Sequence, residues 1–129
     1  MNASVIVVDD DRDAREMLRS LLEVEGFDVK VASNGLRLLS ALHIDRPGAI
    51  VLDVRMSWID GFHLCEAIKH NPKFSAIPII FVSARSEPAD RKRGLDLGAA
   101  DYFTKPLDVD RFVRRLHDVV DGGEPCHAA

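Results

Sequence analysis

Five short apolar runs, each parted from the next by a stretch of helical periodicity, restrict what this chain can fold into. The runs are Val5 to Val8, "FDVKVA" from Phe27 to Ala32, Ile50 to Val54, Ile77 to Val82 and the brief Asp101 to Thr104. Between them apolar residues recur at spacings of three and four. Ala14, Met17, Leu18, Leu21 and Leu22 form one buried face closed by Gly26; Leu38, Leu39 and Leu42 form a second; Leu64, Cys65 and Ile68 a third. Val109, Phe112, Val113, Leu116 and Val120 give the last helix, while Glu87 to Leu97 reads as a polar, weakly patterned fourth. Strand, helix, strand repeated in this way calls for a parallel sheet with helices on both faces, because parallel neighbours need long right-handed crossovers. "VIVV" and "IPIIFV" do not alternate, which suits inner strands covered on both sides; "FDVKVA" alternates and suits an edge.

In such sheets ligands gather beyond the carboxyl ends of the strands, where the strand order reverses. The first run ends in Asp9, Asp10 and Asp11, the third carries Asp53, the fourth is followed by Ser83 and Ala84, and the fifth by Lys105 and Pro106. Crowded carboxylates repel and partly protonate unless a cation joins them. The oxygen-only donor set suits a hard divalent ion, Mg²⁺ or Mn²⁺, held by one or two carboxylates, a backbone carbonyl and water. A carboxylate such as Asp53 beside that ion can attack phosphorus and form an acyl phosphate. Lys105 can pair with one phosphoryl oxygen and the Ser83 hydroxyl can bond another, with Ala84 leaving space.

At these positions the chain resembles the receiver domains of two-component response regulators. The motifs are "VVDDD" (Val7 to Asp11), "LDVRMSWIDG" (Leu52 to Gly61), "IPIIFVSA" (Ile77 to Ala84) and "GAADYFTKP" (Gly98 to Pro106), in the family's order. The resemblance implies a flavodoxin-like, doubly wound α/β fold, five parallel strands in the order 2-1-3-4-5 with five helices. It makes Asp53 the acceptor of a phosphoryl group from a histidine kinase or histidine phosphotransfer protein. It makes Asp10 the direct metal ligand, Asp9 a ligand mainly through metal-bound water, and Arg55 a ligand through its backbone carbonyl. Ser83 stands at the switch hydroxyl, Tyr102 at the switch aromatic and Lys105 at the phosphate-pairing lysine, with a cis bond to Pro106. Tyr102 is expected to turn from an exposed to a buried rotamer when Ser83 is drawn to the phosphoryl group, reshaping the surface of the fourth and fifth helices.

Some positions depart from the family pattern. Ser57 replaces the usual proline, which predicts a less rigid loop around an exposed Trp58. Arg55 and Arg85, two residues past Asp53 and Ser83, are both basic and are expected to slow hydrolysis of the phosphoryl group unless they point to solvent. Asp11 or Asp13 is expected to cap the first helix. The basic runs Arg91 to Arg93 and Arg111 to Arg115 read as solvated faces. The five histidines form no recognisable metal spacing.

Composition sets the outer limits. A chain of 129 residues, 47% hydrophobic and 29% charged, has the size of one globular domain. Residues 1–121 are expected to form the receiver domain and 122–129 a tail or the start of a linker. The net charge of −4 argues against nucleic-acid contact by this domain. Cys65 and Cys126 alone make no disulfide framework, and no leader or membrane span is indicated, so a cytoplasmic setting is expected. Output by a downstream domain or target protein, onward phosphorelay and dimerisation on phosphorylation stay open. A signalling domain rather than an enzyme is expected, limited to self-phosphorylation from small donors and autodephosphorylation. A phosphatase of the haloacid dehalogenase type is a second reading, but its nucleophile would be Asp9 and Asp53 would have no role. An interaction module that is never phosphorylated is a third, against which the set of Asp10, Asp53, Ser83 and Lys105 speaks.

Overall fold

Each inner strand serves two cores at once, which is why its sequence does not alternate. In the computed structural model, which describes residues 3–56 and 58–122, β1 (Ser4–Val8) turns Val5 and Val7 toward one face of the sheet and Ile6 and Val8 toward the other. The same division holds in β3 (Ala49–Leu52), with Ala49 and Val51 opposed to Ile50 and Leu52. In β4 (Ile79–Ser83), Ile80 and Val82 are opposed to Ile79 and Phe81. Helices α1 (Arg12–Val24) and α5 (Val109–Val120) cover the first face through Leu18, Leu22, Phe112, Leu116 and Val119. The opposite face receives α2 (Gly35–Ile44) and α3 (Gly61–Lys69) through Leu38, Leu42, Phe62, Leu64 and Ile68.

All strand pairs are parallel and the order is β2-β1-β3-β4-β5. Strand β2 (Asp28–Ala32) lies at one edge with Asp28 and Lys30 exposed, and β5 (Asp101–Thr104) at the other. The topology, the edge strand and the five helices are those expected from the sequence.

Three details differ from that expectation, in β3, in β4 and at Met17. Strand β3 stops at Leu52, so Asp53 is the first residue beyond the ladder, although its N–H still donates to the Val8 carbonyl at 3.1 Å. Strand β4 begins at Ile79 because Pro78 has no N–H to give, while the Pro78 carbonyl still accepts from Ile50 at 2.9 Å. Met17 is 63% exposed instead of buried: with Val109 it borders a surface groove between α1 and the segment Lys105 to Val109. Helix α4 (Pro88–Asp96) has only Asp90 and Gly94 buried, in keeping with its weak apolar pattern. Asp11 is the N-cap of α1, its carboxylate accepting from the Asp13 amide at 3.2 Å. Residues 123–129, most of the expected tail with Cys126, and Ser57 lie outside the described residues.

Candidate functional site

Strand register brings the chemistry to one rim. Val8 pairs with Leu52, so Asp9 and Asp53, the next residue in each strand, emerge side by side at the carboxyl end of the sheet. Ser83 pairs with Thr104, and the Lys105 amide donates to the Ser83 carbonyl at 2.9 Å, which places the lysine beside the ends of β1 and β3. Its Nζ stands 3.3 Å from Asp9 Oδ2 and 3.7 Å from Asp53 Oδ2. The Lys105–Pro106 peptide bond is cis.

Asp9 is 2% exposed and both of its carboxylate oxygens are engaged. Oδ1 accepts from the Asp11 amide at 2.9 Å and Oδ2 from Lys105, while its carbonyl accepts from Arg15 at 2.9 Å. Such a carboxylate is fitted to hold Lys105 and the start of α1 in place. Asp53 is buried as well, with Oδ1 accepting from the Arg55 amide at 3.1 Å. Burial pushes the Asp53 carboxyl above its ordinary range, and the Asp9 charge adds to this; the Arg55 amide, the Lys105 ammonium and the Ser83 hydroxyl pull the other way.

The donor chemistry fits a hard cation. Asp10 is exposed at the rim next to Asp9, and every group within this loop set offers oxygen: carboxylates of Asp10 and Asp53 and the backbone carbonyl of Arg55. Among the described residues no three His, Cys, Asp or Glu side chains converge on one metal position. The Lys105 ammonium faces both Asp9 and Asp53. The arrangement suits an open site completed by a carbonyl and water, as Mg²⁺ prefers, rather than a closed carboxylate cage.

Tyr102 is already in the buried arrangement, 4% exposed, with its hydroxyl donating to the Arg85 carbonyl at 2.7 Å; the exposed rotamer expected as a starting point is not the one adopted. Burial raises its phenol above the ordinary range. Ser83 is wholly buried and its Oγ accepts from the Arg85 amide at 3.2 Å. The Arg85 guanidinium is not at the carboxylates. It pairs with Asp90 at 3.0 Å and lies over the Phe62 ring at 5.8 Å. Arg55 is exposed, and Trp58 is 99% exposed with a left-handed φ of 80°.

Sequence reasoning overlooked three contributors. Gly61 is one: a Cβ there would fall on the Asp53 carbonyl oxygen and 2.9 Å from Val54 Cα, so the first turn of α3 can approach the acid loop only without a side chain. Its place just after the cap residue Asp60, whose carboxylate accepts from the His63 amide at 2.9 Å, was the available signal. Arg15 and Asp90 carried none, because their partners are a backbone carbonyl and an arginine in the loop before α4, neither at a helical spacing.

Comparison with known proteins agrees with this geometry. The family described as "Response regulator receiver domain" matches residues 5–117. The chain is 36% identical over 129 residues to response regulator MprA of Mycobacterium tuberculosis, covering 100% of this chain and 55% of that protein, so it spans about half the length of the curated relatives it matches. Among solved structures it is similar to the receiver domain of Francisella response regulator 1452, with a TM-score of 0.87 and 28% identity over 93% of this chain and 98% of that one. It is also similar to the chemotaxis response regulator CheY4 of Vibrio cholerae, with a TM-score of 0.83 and 26% identity over 92% and 99% of the two chains. By sequence, topology and the composition of its rim, the chain belongs to the receiver domain family of response regulators.

Proposed function

We propose that Asp53 is the phosphoacceptor of this receiver domain, taking a phosphoryl group from the phosphohistidine of a histidine kinase or histidine phosphotransfer protein. The observation that carries the reading is one ammonium, Lys105, within 4 Å of two buried carboxylates that come from the ends of different strands. A carboxylate oxygen of Asp53 attacks phosphorus, an O–P bond forms, the N–P bond breaks, and the electron pair leaves with the imidazole nitrogen. Asp10, Asp53 and the Arg55 carbonyl would hold Mg²⁺ or Mn²⁺, with Asp9 acting through bound water; the receiver family generally uses Mg²⁺ at its acidic pocket. When bound, the ion offsets negative charge on the transferring group. Lys105 keeps its side chain 31% exposed, which leaves it able to follow a phosphoryl oxygen, and Ser83 presents a hydroxyl from the adjacent strand end.

Ser83 and Tyr102 form the switch, and the surface of α4 and α5 is its output. That surface would act on an output domain or a target protein, or form a dimer on phosphorylation. The domain does not itself contact nucleic acid, and chemistry beyond self-phosphorylation from small donors and autodephosphorylation is not part of its role. Among the described residues no helix is long and apolar enough to cross a membrane, and the donor proposed here, a histidine kinase or phosphotransfer protein, would place the domain in the cytoplasm. Residues 1–121 would form the receiver unit. Incubation with a radiolabelled small acyl-phosphate donor and Mg²⁺ tests the acceptor: the parent should be labelled and Asp53→Asn should not, and undiminished labelling of the variant would overturn the assignment.

A further inference from the structure

Helix α4 is attached to the rest of the fold in a different way from the other helices. It buries no large apolar side chain, its N-cap Glu87 makes no side-chain cap bond, and its two buried residues are Asp90 and Gly94. Gly94 lets the helix backbone lie on the switch aromatic, since a Cβ there would be 3.1 Å from Cδ2 of both Tyr102 and Phe81. The remaining attachments are made by arginines. Arg93 lies over the Phe62 ring at 4.5 Å, Arg91 reaches Asp101 at 3.4 Å, and Arg85 pairs with Asp90 at 3.0 Å.

Arg85 differs from the other two because its backbone touches both parts of the switch. Its N–H donates to Ser83 Oγ at 3.2 Å and its carbonyl accepts from the Tyr102 hydroxyl at 2.7 Å. Its guanidinium holds Asp90, a carboxylate in a residue only 8% exposed. A carboxylate so buried is costly without its counter-charge, so the place of Arg85 and the seat of α4 are set together.

We infer that Arg85 is a positioning residue, and that the Arg85–Asp90 ion pair is the joint through which the arrangement of Ser83 and Tyr102 around Asp53 fixes α4. The inference rests on the phosphoacceptor reading of Asp53. Coupling of this kind is reciprocal: if the Asp53 site biases α4 through the pair, then the pair changes the affinity of the Asp53 site by the same factor, and since the pair forms with Tyr102 in the buried arrangement, that change is an increase.

Beryllofluoride, an acyl-phosphate mimic, titrated with Mg²⁺ into the ¹⁵N-labelled full chain tests this. In the parent, amides around Asp53, Ser83 and α4 should shift at one common midpoint. In Asp90→Asn the midpoint should rise about five-fold, the lower end of typical allosteric coupling, and the α4 shifts should shrink while those beside Asp53 persist. The charge-exchanged double variant Arg85→Asp with Asp90→Arg should recover much of both effects, and Arg85→Lys, which keeps the cation, should stay near the parent. An Asp90→Asn variant that titrates at the parent midpoint with its α4 shifts intact overturns the inference, as does a double variant that recovers nothing. A parent that fails to respond at every amide overturns the phosphoacceptor reading itself, an outcome distinct from loss in α4 alone.

Discussion

Replacing Asp53 with Asn probes the electrostatics of the rim directly, because it removes one negative charge and nearly keeps the shape. Burial and the Asp9 charge hold the Asp53 carboxyl above its ordinary range, so its ionised form is less favourable in the folded chain than in the unfolded one. The contribution of Asp53 to stability is therefore fully present below the ordinary aspartate range and is lost as pH rises through the raised folded value. At neutral pH, far above the ordinary aspartate range, the parent carries a penalty that a neutral amide does not. The two Oδ2 atoms that approach Lys105 Nζ, at 3.3 Å and 3.7 Å, are at most about 7 Å apart, and unit charges at that distance repel by about 2.4 kcal/mol at an effective dielectric of about 20. On the same scale Lys105 attracts Asp53 by up to about 4.5 kcal/mol. That ammonium is shared with Asp9, and solvent screens it at 31% side-chain exposure. The burial cost of the ionised carboxylate, the largest cause of its raised range and one a neutral amide escapes, adds to the repulsion and tips the balance toward a net gain of about 1–2 kcal/mol for Asp53→Asn.

For a chain of this length the gain is about 3–8 °C in Tm, readable by circular dichroism in EDTA at neutral pH. The difference should shrink toward zero near pH 3, roughly where an ordinary aspartate is already half protonated or more. Added Mg²⁺ should raise the Tm of the parent by mass action and leave the variant nearly unmoved. An Asn variant that melts below the parent at neutral pH in EDTA, or a difference that ignores pH, would refute the account of a charge held at a cost.

Gly61→Ala should destabilise the fold by about 2 kcal/mol or more, because the new Cβ meets backbone of Asp53 and Val54 rather than a yielding side chain; urea unfolding measures it, and acyl-phosphate labelling of Asp53 should fall with it. Gly94→Ala should push against the Tyr102 ring at 3.1 Å, so the near-ultraviolet tyrosine signal should change while far-ultraviolet helix content stays. Trp58→Gly should stabilise the chain by about 0.5–1 kcal/mol, since glycine holds a left-handed φ without the Cβ penalty and loses only part of that gain to chain entropy. Trp58 is the sole tryptophan and fully exposed, so its fluorescence in the parent should match free indole in water and be quenched freely by acrylamide.

How much of this was legible in the sequence follows from where each interaction lies. The sheet was readable because the signal is local: "VIVV" and "IPIIFV" show no alternation since both faces of β1 and β4 are buried. Asp9, Asp53, Ser83 and Lys105 were readable because each directly follows or ends a strand, and parallel register carries such residues to one rim. Met17 and Val109 were misjudged because helical spacing marks the apolar face and not its margin, where a groove leaves them open. The buried setting of Tyr102 and the pairing of Arg85 with Asp90 were beyond reach, since rotamers and ion pairs between elements leave no periodic trace. In the sequence Asp90 looks like one more charge on a solvated helix, and only the approach of α4 to Phe81 and Tyr102 buries it.

The two ways of holding elements in place divide the labour of the fold. A net stability of about 5–15 kcal/mol is usual for a domain, and the carboxylate pair at the rim, only partly offset by the Lys105 ammonium it shares, draws on it by about 1–2 kcal/mol. The loss is tolerable because Asp9 and Asp53 follow strands whose residues are almost wholly buried, and because each Oδ1 is held by a backbone amide, that of Asp11 or of Arg55, so repulsion cannot turn the carboxylates apart without breaking those bonds. Rigidity there keeps the charges close enough to favour a cation or the transfer of a phosphoryl group. Helix α4 adds no large buried apolar side chain of its own to that core. It rests on a glycine and three arginine contacts, interactions of about 1 kcal/mol each in partly exposed settings. A change of a few kcal/mol at Asp53 is too small to rearrange the sheet and large enough to reseat α4, so on the proposed reading a phosphoryl group at the rim should be felt on that surface before anywhere else.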